Sequence, residues 1–256
     1  MIPAPPPQAA PVPAAAVVES LLHAWETLHP AAPPERALGL LHAVWPEHGA
    51  DQWRRLSIGD RDTLLFLLQS SLFGEELDTV AACPACGERL ESRFRVGDVC
   101  APPTQWPQPR EPLELRHDDY RIRFRLPCSD DLAAIAGDPA ATGEHLLRRC
   151  VLDARRGRRP LEASQLPAAV RDKLGEAMAE HDPVADLRMG ITCPACGHAW
   201  SAALDIVGYL WGELDDWAQD LLAQVHVLAR HYAWSERDIL ALTPVRRRYY
   251  LDLLQS

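Results

Sequence analysis

Two copies of a five-residue motif carry four cysteines that could bind one metal ion. The motif Cys-Pro-Ala-Cys-Gly begins at Cys83 and again at Cys193. The C-x-x-C spacing forms a tight turn, or knuckle, that aims two sulfurs at one point, and the following glycine permits the positive φ of such a turn. Four thiolates suit tetrahedral Zn²⁺. The motifs therefore predict one structural zinc per chain, with the ligands Cys83, Cys86, Cys193 and Cys196.

Other interpretations of these cysteines stay open. A C-x-x-C pair can be a redox dithiol, but that chemistry favours one motif at a helix start, whereas here each motif leads into a strand-like run. The two turns could also be unrelated and carry free thiols, and His198 could replace one cysteine as a ligand. A complete four-cysteine site leaves no open coordination position, so its metal would be structural rather than catalytic.

The composition narrows the class of protein. The formal charge of -10 over 256 residues argues against binding to nucleic acid or to an anionic membrane surface. Three further cysteines, Cys100, Cys128 and Cys150, follow no recognisable spacing, which favours a reducing compartment over a disulfide framework. We see no signal-peptide pattern and no apolar run of transmembrane length. We therefore expect the protein to be located in the cytoplasm of the cell that makes it.

The chain divides into four predicted segments of an α+β fold. Residues 1–13 are rich in Pro and Ala and predict a disordered tail. Residues 14–56 predict an N-terminal helical segment, and residues 208–256 predict a C-terminal one. Between them, residues 57–207 predict a zinc-ribbon-like domain with a small β core and a long insertion at 98–190. The insertion would contain a β-hairpin and helices, and amphipathic helices would flank the whole domain.

Periodicity predicts the strands that would position the cysteines. Residues 75–82 lead into the first knuckle, while residues 88–96 and 198–206 follow the two knuckles as strand-like runs. Within the insertion, residues 113–126 predict a hairpin, because their second half alternates apolar residues with arginines. Residues 117–119, His-Asp-Asp, are the predicted turn of this hairpin.

Apolar residues at three- and four-residue steps predict the helices, and polar residues mark where several of them begin. We expect Asp60, Ser129, Ser235 and Thr243 to act as N-caps. The predicted helices cover residues 14–28, 34–45, 61–73, 132–136, 143–152, 167–181, 209–233, 236–242 and 244–254.

Catalytic motifs are missing from the sequence. It contains no phosphate-binding glycine loop, no nucleophile elbow and no H-E-x-x-H motif, which favours a non-enzymatic protein. Six arginines do cluster between positions 148 and 159, but no aromatic residue is interleaved with them as in single-stranded nucleic-acid sites. We interpret this cluster as a solvated surface or a contact to an acidic partner.

Two parts of the sequence resemble the T-even-type phage baseplate protein family. The first is the run from Leu64 to Asp78 followed by the first knuckle. The second comprises Tyr-Leu-Trp-Gly-Glu-Leu from Tyr209, Trp-Ser-Glu from Trp234 and Arg-Arg-Arg-Tyr-Tyr-Leu from Arg246. Such C-terminal patterns resemble small proteins encoded with tail and baseplate components of phages and phage-like contractile particles. The resemblance covers roughly residues 57–256.

The resemblance implies a non-enzymatic part in baseplate structure or assembly, with other baseplate and tail subunits as protein partners. The family has no catalytic residues that could be assigned to this chain. The metal-ligand positions that match the family are the four cysteines. The length of the chain, its proline-rich start and its second knuckle depart from the phage proteins. A permanent particle subunit and a transient assembly chaperone therefore both remain open. The alternatives from other classes are a nucleic-acid-associated zinc-ribbon adaptor and a thiol oxidoreductase.

The C-terminal helices carry the predicted partner contacts. Aromatic residues and arginines are enriched in the cores of protein interfaces. The alternative is that the same residues pack within the protein, since the apolar stripe of the long helix could cover the ribbon. The candidate residues are Trp211, Trp234, Arg246, Arg247, Tyr249 and Tyr250.

Overall fold

The computed structural model of the chain describes residues 15–136 and 143–254. The predicted tail at 1–13 lies outside this range. The described residues combine α-helices with small antiparallel sheets, which confirms the α+β class. The helices are α1 Ala15–Leu28, α2 Pro33–Val44, α3 Ala50–Arg55, α4 Ile58–Leu72, α5 Val96–Val99, α6 Ser129–Ile135, α7 Gly143–Cys150, α8 Ala168–His181, α9 Ile206–Tyr232, α10 Glu236–Leu240 and α11 Pro244–Leu253.

The strands form three separate sheets in the described part of the chain. Two of them are two-stranded hairpins, β1-β2 and β7-β8, and the third has four strands in the order β3-β4-β5-β6. The bounds are β1 Glu76–Ala82, β2 Arg89–Arg95, β3 Leu113–His117, β4 Tyr120–Phe124, β5 Val151–Arg156, β6 Arg159–Leu161, β7 Arg188–Thr192 and β8 Ala199–Ala203.

The largest core joins helices from both ends of the chain. Helices α1, α2 and α4 pack with the first half of α9, and the first hairpin adds Leu77 to the same cluster. Burial of these apolar side chains is the main favourable contribution to folding, at about 25 cal/mol per Å² of apolar surface. This core contains residues from both sides of the predicted segment boundaries at 56/57 and 207/208. Its most buried members are Leu21, Ala37, Leu40, Leu41, Trp53, Leu56, Leu64, Leu65, Phe66, Leu77, Leu210 and Leu214.

The long insertion has a core of its own. Its four-stranded sheet packs against α8, and Ile122, Phe124, Ala154 and Leu174 are fully or almost fully buried between them. The predicted alternation in β4 is confirmed, because Ile122 and Phe124 are buried while Arg121 and Arg123 are exposed. Arg125, which follows the strand, is half-buried. The predicted turn is also confirmed: Asp118 has a φ of 49° between β3 and β4.

The insertion attaches to the rest of the protein at the beginning of α4. The Asp182 carboxylate accepts hydrogen bonds from Ser57 Oγ and from the Gly59 amide, both at 3.0 Å. A Cβ atom at Gly59 would lie 2.2 Å from Asp182 Oδ1, so this approach requires glycine. The Ile58 amide also donates to the Pro127 carbonyl at 3.0 Å. The N-terminal amides of α4 are thus satisfied by the insertion.

Two helix starts differ from the predicted ones. Helix α4 begins three residues before the predicted start, because Ser57 rather than Asp60 is its N-cap and accepts a bond from the Asp60 amide at 3.1 Å. Helix α9 begins at Ile206, where the Asp205 side chain caps it, instead of at Tyr209. In both helices a short polar residue just upstream offers its oxygen to the first free amides.

The segment after α7 is a strand, although we predicted that the helix continues to residue 152. Helix α7 ends at Cys150, and β5 then pairs with both β4 and β6. Strand β5 has the sequence Val-Leu-Asp-Ala-Arg-Arg, which does not alternate apolar and polar residues, so its local pattern carries no strand signal and its conformation follows from its two neighbours. The short helices α3 and α5 were not predicted, and Cys128 rather than Ser129 occupies the N-cap position of α6.

A buried carboxylate holds together the start of α6 and the end of α7. Asp131 is fully buried and accepts bonds from Arg125 Nη1 and Nη2, Arg149 Nε and the Cys128 amide, at 2.5, 2.8, 3.0 and 3.0 Å. Burial alone would raise the pKa of Asp131, but the bonds from Arg125 and Cys128 outweigh it and hold that pKa well below its usual range. The charged carboxylate therefore stabilises the folded insertion.

We expect Asp131→Ala to lower the free energy of unfolding by about 3 kcal/mol, because it leaves two arginines without their shared buried partner. Asp130→Ala is the matched control, since the Asp130 ion pair with Arg54 is exposed and contributes at most about 1 kcal/mol. Because the pKa of Asp131 is depressed, its contribution is full above about pH 4 and falls as the pH drops further. Urea titrations of the two variants at pH 7 measure their losses of stability, and titrations of the wild type and Asp131→Ala from pH 7 down to about pH 3 measure the pH dependence. Equal losses for the two variants would contradict this assignment.

Candidate metal centre

The two knuckles have the same backbone geometry. In the first, the Cys83 amide donates to the Glu88 carbonyl at 2.8 Å, and the Gly87 amide donates to the Cys83 carbonyl at 2.9 Å. In the second, the equivalent bonds from Cys193 and Gly197 are both 2.9 Å. Gly87 and Gly197 adopt φ values of 77° and 73°, in the region that favours glycine. Each knuckle forms the tip of its own hairpin, β1-β2 or β7-β8.

The two tips meet and bring the four predicted ligands together. Cys83 Sγ lies 3.7 Å from Cys196 Sγ, and Cys86 Sγ lies 3.7 Å from Cys193 Sγ. All four sulfurs lie within 4.8 Å of one another. These separations are far longer than the S–S bond of a disulfide, about 2.05 Å, so the cysteines are free thiols. The cluster could hold one metal ion.

One side of the cluster is buried and the other faces solvent. The first cysteine of each motif, Cys83 and Cys193, is buried, whereas the second, Cys86 and Cys196, is exposed. His198, the alternative ligand, lies outside this cluster. Its ring lies beside Trp200, with centroids 6.1 Å apart. The structure therefore assembles the four-cysteine set and not a set of three cysteines with one histidine.

The two cysteines of the first knuckle, Cys83 and Cys86, differ in how readily they ionise. Burial opposes ionisation of Cys83, but amides of its own knuckle and the neighbouring sulfurs together lower its pKa to about 7. The Glu88 amide favours the Cys86 thiolate, yet its three neighbouring sulfurs and burial raise the pKa of Cys86 to about 12. The Cys83 thiolate thus forms readily, whereas a metal cation would be required to ionise Cys86 at neutral pH.

The first turn of α9 anchors both hairpins. The Asp78 amide on β1 donates to the Tyr209 hydroxyl at 3.2 Å, and β8 leads directly into the Asp205 cap of α9. The Leu204 amide closes the second hairpin through a 2.9 Å bond to the Leu187 carbonyl. Helix α9 therefore fixes the bases of the hairpins whose tips carry the cysteines.

The predicted partner residues separate into interior and surface groups. Trp211 belongs to the largest core, and the Arg36 guanidinium lies 4.3 Å from its ring centroid. Trp234 and Tyr250 are half-buried against the small core formed by α9, α10 and α11, with their ring centroids 4.9 Å apart. Arg247 is buried, whereas Arg246 and Tyr249 are exposed.

An exposed apolar stripe on α11 was not singled out from the sequence. Val245, Tyr249 and Leu253 are exposed by 79%, 64% and 51%. Their spacing of four residues places them on one face of the helix, which is a readable sequence signal. The residues predicted from the sequence include Tyr249 of this face but not Val245 or Leu253.

Several arginines of the basic cluster bind partners within the protein. Arg148 pairs with Glu144 at 2.6 Å, and Arg155 pairs with Asp153 at 3.0 Å. Arg149 donates to the buried Asp131. These ion pairs reduce the positive charge that the cluster offers to an external ligand.

Known proteins offer no match from which a role could be transferred. We compared the chain with protein-family models, curated proteins and solved structures, and none of them matches it. The resemblance to phage baseplate proteins therefore stays a prediction. No helix in residues 15–136 or 143–254 is long and apolar enough to cross a membrane.

Cysteine substitutions test the metal centre. We expect Cys83→Ser or Cys193→Ser to abolish metal binding and to destabilise the protein strongly, because a structural metal contributes on the order of 10 kcal/mol to folding in small domains. Cys128→Ser is the matched control, since Cys128 lies at a helix N-cap, where serine is favourable, and away from the cluster. Metal content by elemental analysis and unfolding curves provide the readout. Retention of metal by a cluster variant would contradict the four-ligand site.

Proposed function

We propose that the four cysteines hold one structural Zn²⁺ in a ribbon-like pair of hairpins. The single observation that carries this proposal is the convergence of the four sulfurs. A tetrahedron with Zn–S bonds of about 2.3 Å has edges of about 3.8 Å, and two of the S–S separations are 3.7 Å. Four thiolates complete the coordination sphere, so the metal would cross-link the hairpins and would not bind substrate.

The identity of the metal has a direct test. Protein purified without added metal should contain about one zinc ion per chain, because one closed tetrahedral site accepts one ion. Elemental analysis should include iron, since four cysteines in a tetrahedron also suit that metal. A second equivalent of zinc, or iron in place of zinc, would overturn the assignment.

We further propose that the protein acts without catalysis in building a contractile phage-tail or phage-like baseplate. The resemblance of residues 57–256 to phage baseplate proteins motivates this proposal. The closed cysteine cluster and the exposed surface of α11 support it physically. The cysteine cluster uses all of its metal ligands to stabilise the fold. Helix α11 offers an apolar contact face to another protein.

The α11 stripe is the proposed contact with a baseplate subunit. Val245, Tyr249 and Leu253 form its apolar centre, and Arg246 lies beside it on the exposed surface. An amphipathic helix that presents residues at i, i+4 and i+8 is suited to a groove on a partner. The adjacent arginine favours a partner groove with acidic edges.

Paired substitutions separate contact from stability. Tyr249→Ala should change the free energy of unfolding by less than about 0.5 kcal/mol, because the ring is largely exposed. Trp234→Ala should cost about 2–3 kcal/mol, because it removes a half-buried ring from an aromatic cluster. Co-purification with candidate sheath, tube and baseplate proteins measures the contact. Tyr249→Ala should abolish it, while Leu152→Ala, which alters an exposed residue elsewhere, should not.

Either of two results would overturn this function. The first is a set of neighbouring genes that encode no tail protein. The second is a stable Tyr249→Ala variant that co-purifies with its partners and supports particle assembly as the wild type does.

A further inference from the structure

A cleft lies on the opposite side of α11 from the exposed stripe. It has a volume of about 330 Å³ and lies between α1, the end of α4, α9 and the turn from α10 to α11. Its walls are largely apolar, with Leu21, Phe73 and Trp217 on three different elements. Arg247 is the single charged residue that lines it among the described residues.

Arg247 is buried without a charged partner. It is only 5% exposed, its Nε donates to Gln224 Oε1 at 3.3 Å, and its Nη1 donates to the Leu242 carbonyl at 3.0 Å. Both acceptors are neutral, and none of the carboxylates in residues 15–136 and 143–254 forms an ion pair with it. By contrast, the equally buried Arg61 pairs with Asp62 at 2.7 Å. A buried charge without a counter-ion is costly, so this guanidinium favours an anion.

The start of α11 adds a second favourable feature for an anion. Thr243 and Pro244, at the N-terminus of this ten-residue helix, also line the cleft. A helix N-terminus carries a partial positive charge that stabilises negative groups within its first turn. The helix dipole and the buried arginine therefore act on the same apolar space.

We propose that this cleft binds the C-terminal residue of a partner polypeptide, with its apolar side chain between α1 and α9 and its carboxylate on Arg247. A chain end joins an apolar group to a carboxylate within one residue, which matches the lining. An internal acidic residue would bring two flanking peptide groups into walls that offer few polar partners. The proposal rests on the proposed function as an assembly protein and names the chemistry of one partner.

The size of the cleft and the composition of residues 1–14 argue against two other occupants, a long acyl chain and the chain's own N-terminal segment. A volume of about 330 Å³ is near the lower end of ligand pockets, about 300–1,000 Å³, and suits a residue-sized group better than a long acyl chain. Residues 1–14 contain no acidic side chain, so this segment cannot supply the carboxylate. The cleft therefore fits a carboxylate from outside the chain's own N-terminal segment.

A pair of small probes tests the proposal on the full, zinc-loaded chain. N-acetyl-L-leucine imitates a polypeptide end, and N-acetyl-L-leucinamide is the same molecule without the charge. We expect the acid to bind with a roughly millimolar Kd, at least about tenfold more tightly than the amide. In NMR titrations the acid should shift the indole N–H resonance of Trp217 and the guanidinium Nε–H resonance of Arg247.

Variants locate the source of the preference for the acid. Arg247→Met should make the acid and the amide bind equally, whereas Arg248→Met, which removes a charge from the exposed side of α11, should preserve the preference. Zinc content and far-UV circular dichroism verify that each variant is folded. If Arg247→Met does not fold, the acid-to-amide ratio and the Trp217 shift in the wild type decide the question without it.

The outcomes that overturn the proposal are distinct from failure of the baseplate function. Equal binding of acid and amide, no binding by the folded wild type, or shifts confined to other residues would each overturn it. Tighter binding of decanoate at the same resonances would identify an acyl chain and overturn the polypeptide assignment. No baseplate protein is used in this experiment. A negative titration therefore leaves the co-purification result valid, and a negative co-purification leaves the titration result valid.

Discussion

The four cysteines can meet only if two hairpins from distant parts of the chain lie tip to tip, and the remaining structure is arranged to allow this. The first hairpin follows α4, and the second leads into α9. These two helices share the largest core. Apolar packing and the cysteine cluster therefore constrain the same pair of elements. A shift of α9 relative to α4 would separate sulfurs that lie 3.7 Å apart.

The long insertion is compatible with this constraint because it carries its own core and returns the chain to its starting point. Between Cys86 and Cys193, which are 107 positions apart, the described part of the chain builds a four-stranded sheet and the four helices α5 to α8. The entropy cost of closing a loop grows only by about 0.6 kcal/mol for each doubling of its length. The Asp182 carboxylate then accepts hydrogen bonds from Ser57 and Gly59 at the start of α4, which holds the end of the insertion close to its beginning. A hairpin pair can thus accept an inserted module without losing its geometry.

The cysteine cluster and several elements could be predicted because their signals are local. The repeated Cys-Pro-Ala-Cys-Gly motif specifies two knuckles, and the alternation in β4 specifies a strand with one buried face. Strand β5 could not be predicted, because its residues do not alternate between apolar and polar and its partner β4 lies far back in the sequence. The cleft beside Arg247 also lacked a local signal. Three consecutive arginines look alike in the sequence, and only the packing of α11 on α9 buries the middle one.

The separation of the two knuckles has a consequence for biosynthesis. At about 5–20 residues per second, a ribosome takes roughly 5–20 s to proceed from the first knuckle to the second. During this interval Cys83 and Cys86 form an incomplete pair that cannot enclose an ion, while the inserted sheet and helices emerge and fold. An ion held by all four cysteines, as we propose, would therefore be captured only after both knuckles have been synthesised. A truncated product of stalled translation would expose two reactive thiols to the quality-control machinery of the cell.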